Sequence, residues 1–149
     1  MIKRICLTAL AAAVLTTGTV IADGHEPQAK RQDLMKSVGK AAKPMGQMLR
    51  GDMAFDAQVL NESLEKFLYV SQQYGDLFPA GSESGYETEA APAIWEDRAG
   101  FDEALGNWRS AVEKALAAQP ATLEDAKPLA GGVFQTCKGC HDTYRIEND

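Results

Sequence analysis

This sequence is short of the patterns on which most classes of protein depend. Its one continuous apolar stretch, residues 5–15, is too short to cross a bilayer. No run alternates apolar and polar residues as a half-buried strand does, no segment repeats, and no change of composition marks a second domain. These absences argue against sheet folds, repeat arrays and a membrane-spanning body. Histidine occurs twice and cysteine three times. No acid, base and nucleophile stand together as catalysis would need, so the chain is read as a non-enzyme.

What is present begins with a leader. Lys3 and Arg4 precede the apolar stretch, and Val20-Ile21-Ala22 follows it with residues of cleavage-site type. This is the pattern of a secretory signal peptide, residues 1–22, cut after Ala22 to leave one domain over residues 23–149 and to place it in the periplasm. Cys6 leaves with the leader, so the two remaining cysteines face an oxidising compartment. Losing Lys3 and Arg4 leaves 13 basic against 21 acidic side chains, a net charge of −8. Such a chain is a poor ligand for nucleic acid or anionic lipid, and a charged partner should present a basic patch.

Apolar residues recur at helical spacing in four segments. The first, residues 28–50, carries Leu34, Val38, Ala41, Met45 and Met48, with a local break expected near Ala42 because Pro44 lies inside it. The second opens at Asp56, an N-cap residue, and runs through Leu60, Leu64, Phe67 and Tyr74 to Gly75. An irregular loop rich in Gly, Pro and Ser occupies residues 76–92. A third helix is expected over 93–118, with Phe101, Leu105, Trp108 and Val112 in one stripe. Thr122 should cap a short turn, and a fourth helix should follow Pro128, carrying Val133, Phe134, Cys137, His141 and Tyr144. Four helices with mostly short joints predict an all-α, antiparallel up-and-down four-helix bundle, its tryptophans, phenylalanines and methionines forming an ordinary core.

The chemistry concentrates in TCKGCHDTYR, residues 136–145. On a helix Cys137, Cys140 and His141 project from one face. Two thiols so spaced can form thioethers to the vinyl groups of a haem, and the adjacent imidazole then points at the iron. C-x-x-C-H is the attachment signature of haem c. A thioredoxin-like dithiol would need strands around it. A closed zinc site would need a fourth ligand, and only His25, in a polar leader, is left.

A signal peptide, four helices and CKGCHDTYR at the end resemble the class II c-type cytochromes, the cytochrome c-prime family. The resemblance extends through RQDLMKSVGKAAKPMGQM, LFPAGS and AIWED to Tyr144 and Arg145. It implies one haem c held by Cys137 and Cys140, with His141 as the proximal iron ligand. Arg31 matches the family position beside a haem propionate, with Gln32 in support, and Arg145 should lie one turn beyond the imidazole. Gly131 and Gly132 should let the ring or a neighbouring helix come close.

In an up-and-down bundle the start of the first helix faces the end of the last. Met35 is therefore the methionine placed to reach the distal face, Met45 lying about 15 Å farther along. It stands four residues after Arg31, where a low-spin branch of the family has its sixth ligand. The expectation is a soluble electron carrier with His141/Met35 iron and transient redox partners. The alternative is a five-coordinate iron that binds NO or CO. A homodimer through the first two helices is left open.

Overall fold

The structure is a computed structural model that describes residues 26–146. The leader, its cleavage site and His25 lie outside the described residues.

The first helix, α1, spans Glu26–Arg50 without interruption. The break expected near Ala42 does not occur. Pro44 removes one backbone donor, but Met45 and Met48 beside it are fully buried, and their packing holds the helix through that position. Gly51 closes it at a φ of 82°, a conformation glycine adopts without strain.

Helix α2, Ala57–Gln73, starts where Asp56 accepts from the backbone N–H groups of Gln58 and Val59. Tyr74 and Gly75 belong to a 3-10 turn, Tyr74–Leu77, that continues its line. The expected third helix is two. The short α3, Ala93–Glu96, ends at Asp97, whose φ of −125° and ψ of 62° are not helical, and whose carboxylate accepts from the Gly100 N–H. Helix α4, Arg98–Ala118, begins on that cap. Helical spacing predicts Asp97 as one more residue within the helix, but its side chain competes for the backbone and restarts it.

Helix α5, Leu123–Tyr144, is also longer than expected. Thr122 caps the whole helix through the Asp125 N–H, and Pro128 sits in its second turn rather than before its start. Gln119, in the left-handed region at a φ of 43°, makes the turn between α4 and α5.

Short connections make α1 and α2 antiparallel, and likewise α4 and α5. The core is shared by the buried faces of all four long helices, among them Met45, Leu64, Phe67, Phe101, Val112 and Val133. Each such side chain contributes about 1.5–3 kcal/mol by leaving water. Helix α2 packs on both α1 and α4, and α4 on α5, whereas α1 meets α5 only lightly. Along that seam runs an open groove of about 490 Å³, with Gly39, Ala42 and Gly46 on one wall and Phe134 on the other. The seam that remains loosest lies between the two helices that carry Met35 and His141.

Candidate functional site

The last turns of α5 place Cys137 and Cys140 on one face, each half-buried against the core cluster, with His141 more exposed at the edge. Both thiols are free. Burial pushes the Cys137 thiol up to about 11, with Cys140 adding to the effect. Burial raises the Cys140 thiol too. The His141 imidazole is shifted down, first by partial desolvation and then by Arg145, against the pull of Glu89 and Asp142. It is therefore held toward the neutral form, the form that binds a metal. Lys138 pairs with Asp142 on the solvent side of the helix, away from this face.

Arg145 follows His141 by one helical turn, its N–H donating to the His141 carbonyl at 3.3 Å, and its charge acts on the imidazole. The helix ends at Tyr144, and Arg145 is extended, at a φ of −121° and ψ of 137°. It forms an isolated antiparallel bridge with Ala90, and its guanidinium meets Glu89 at 2.6 Å. The backbone bonds of that bridge end the helix, so helical spacing no longer predicts where the side chain goes.

Facing the site from α1 is a buried cation. Arg31 is 3% exposed, and its guanidinium carbon lies 4.5 Å from the centre of the Phe78 ring and 5.6 Å from that of Trp95. Its Nη2 donates to the Ser82 carbonyl at 2.7 Å and its Nε to the Pro27 carbonyl at 3.3 Å. Its Nη1 has no hydrogen-bond partner among the described residues. Desolvation lowers its pKa, with Tyr74 and Glu83 opposing. Buried charges normally meet an opposite charge. Here two stacked rings and two carbonyls leave one donor over, an arrangement suited to a carboxylate that is not part of the polypeptide.

The other expected residues divide. Met35 is half-buried in the fringe of the core that also contains Leu34, Trp95, Phe134, Cys137 and Cys140. Gln32 does not turn to Arg31; its amide donates to the Glu87 carbonyl. A Cβ on Gly131 or Gly132 would meet no atom within 4 Å, so no neighbouring helix presses on either glycine. Light contact between α1 and α5 is the reason the expected close approach of a neighbouring helix fails there.

Some contributors were missed in the sequence. Gln28, 1% exposed, donates to the Ser84 carbonyl, one turn before Arg31. Tyr74 has its hydroxyl pKa raised by burial, with Arg31 lowering it and Cys140 and Glu89 raising it, so it lies electrically between α1 and α5. Phe78 was visible only within LFPAGS, and Trp95 was read as plain core. The residue types gave no sign that Gln28 is buried; only the resemblance pointed to Arg31 in this cluster.

Two thiols one turn apart, a neighbouring imidazole and a buried cation with an unused donor fit a haem with its vinyl and carboxylate arms. A family pattern described as Cytochrome C' matches residues 26–145. The chain belongs to the cytochrome c′ family. Like the family, it carries one covalently attached haem c. It is 38% identical over 136 residues to the cytochrome c′ of Rhodopseudomonas palustris, covering 90% of each chain. A solved structure of cytochrome c′ from that organism superposes with a TM-score of 0.80 at 35% identity, covering 83% of this chain and 98% of that one. Cytochrome c-556 of Agrobacterium tumefaciens is 29% identical over 118 residues, 79% of this chain and 95% of that protein. A cytochrome c prime mutant from Alcaligenes xylosoxidans, solved as a nitric oxide complex, matches at 27% identity and a TM-score of 0.74, covering 85% and 98%. The four-helix bundle is thus a cytochrome c′ fold, and no described helix is long and apolar enough to cross a membrane.

Proposed function

We propose that this chain is a periplasmic cytochrome c′ whose haem iron, held by His141, keeps its sixth side free for NO or CO. Kinship carries this reading: 38% identity to a protein named cytochrome c′, and a likeness to one solved with nitric oxide. It favours the open iron over the expected His141/Met35 pair.

The chain's residues divide the work. Cys137 and Cys140 would anchor the group by thioethers, and the neutral imidazole of His141 would bind the metal from the proximal side. Arg31 would give its unused Nη1 to a carboxylate arm, completing the hydrogen bonding that the polypeptide alone leaves unfinished. Leu34, Met35 and Trp95 would exclude water from the distal side, leaving it apolar. When bound, the haem supplies an iron that accepts an electron or a small diatomic ligand. Gln32 is assigned to the loop rather than to the haem, because its amide is already engaged by Glu87. Location in the periplasm is proposed from the signal-like residues 1–22.

The deciding experiment is addition of CO to the reduced holoprotein. A large, rapid Soret shift is expected; indifference to CO overturns the reading. A second reading is favoured by one observation, a thioether on α1 four residues after Arg31. If Met35 binds the iron, the sixth position is filled, the potential rises, and the protein is an electron carrier that meets basic redox partners briefly.

A further inference from the structure

Helices α1 and α5 carry the two sides of the site, yet they touch only lightly. The described hydrogen bonds at this end of the bundle reach from one to the other through the loop between α2 and α3. On the α1 side, Gln28 donates to the Ser84 carbonyl at 3.2 Å and Gln32 to the Glu87 carbonyl. Arg31 holds the base of the loop at the Ser82 carbonyl, 2.7 Å away. Each partner on the loop is a backbone carbonyl, so these bonds hold the path of the loop's backbone.

The far edge of the same loop is bound to the end of α5. The Ala91 N–H donates to the Tyr144 carbonyl at 3.1 Å, and the Ile146 N–H to the Glu89 carbonyl at 2.8 Å. The Glu89 carboxylate then takes the Arg145 guanidinium at 2.6 Å. An exposed ion pair contributes little alone, but this one lies across two backbone bonds that already fix its geometry. Arg145 also acts on the His141 charge in the sense opposite to Glu89 and Asp142.

We propose that residues 84–91 form a strap that sets the separation of α1 and α5 at the haem end, with Gln28, Gln32 and Glu89 as positioning residues. None of the three touches the reacting atoms. They act through the spacing between Met35 and His141, and so through the room available on the distal side. The proposal rests on the reading above for its ligand-binding consequence, but not for the strap itself.

Two variants of the holoprotein test it. One carries Gln28→Ala with Gln32→Ala and frees the strap from α1; the other, Glu89→Gln, loosens it from α5. Amide hydrogen exchange at Ala91 and Ile146 is the first readout, because these N–H groups report on the α5 edge. The α1-side variant should speed both by about three- to tenfold, the scale of one lost hydrogen bond, although it removes no bond they make. Unchanged exchange at both amides overturns the strap. The CO association rate of the reduced protein is the second readout. Each variant should change it by about three- to tenfold. Combining them should change it little further, because a strap cut at one end no longer spans the gap. Effects that multiply overturn the proposal by showing independent local changes. A wild-type protein indifferent to CO overturns the open-iron reading alone, and the exchange result then decides the strap. Should the double alanine variant fail to fold, Glu89→Gln is judged by exchange at Gln32's side-chain amide, which must quicken.

Discussion

The Tyr144 hydroxyl donates to Asp97 Oδ2 at 3.0 Å, joining the last residue of the helix that carries Cys137 and Cys140 to the residue that caps α4. Gly100 is what leaves room for this contact. A Cβ there would lie 2.5 Å from the Tyr144 hydroxyl and closer still to the Asp97 carboxylate. Alanine is normally the better helix residue, by about 0.5–1 kcal/mol. Gly100→Ala should nevertheless destabilise the protein in urea titrations. Gly106→Ala on the same helix, where a Cβ meets no atom within 4 Å, should stabilise it by roughly that propensity difference. Stabilisation by both would mean that the Asp97–Tyr144 contact has no need of the glycine.

The Asp56 carboxylate accepts two of the unbonded N–H groups at the start of α2. Asp56→Ala should cost about 1 kcal/mol and lower the melting temperature by about 3–5 °C. Asp56→Asn should recover most of the loss. Thermal unfolding followed by far-ultraviolet circular dichroism measures both.

Without haem, Cys137 is a half-buried thiol whose pKa rises from 9.0 to about 11. Its contribution to stability is full below pH 9.0, where folded and unfolded chains both hold the proton. Above that the unfolded chain loses its proton first, so the contribution declines as pH climbs toward about 11. The haem-free chain should therefore weaken across this alkaline window, and Cys137→Ser should flatten the slope. If Cys137 anchors the haem as proposed, its sulfur in the holoprotein is a thioether and that dependence should be gone.

Met35 separates the two readings of the iron. With an open sixth position, Met35→Leu should leave the ferrous Soret band in place and change CO affinity by less than about tenfold, since volume and polarity are nearly conserved. Were the thioether bound to the iron, the same change would convert a low-spin spectrum into a high-spin one. Visible spectra of both variants in both oxidation states make the measurement.

How much of this was readable beforehand depended on the scale of the feature. The helical bundle, the Asp56 cap and the attachment motif are local, so spacing and residue type carried them. Family resemblance located Arg31, but neither approach showed that its Nη1 lacks a protein partner, because that depends on Phe78, Trp95 and Ser82 brought from far along the chain. Helix boundaries failed where side chains competed with the backbone, as at Asp97, or where tertiary packing overrode proline, as at Pro44. The pairing of Arg145 with Glu89 was not legible, because the bridge to Ala90 joins residues 55 apart in sequence, which no helical period encodes.

The buried guanidinium of Arg31 also bears on how a cell tells finished protein from unfinished. On the reading that a haem carboxylate completes it, a chain lacking the group keeps a buried cation with an unused donor beside Phe78 and Trp95. Such a chain opens more often, and a protease cleaves in proportion to the open population. The same side chain that would orient the cofactor thus makes its absence detectable, exposing empty chains to removal while loaded ones survive.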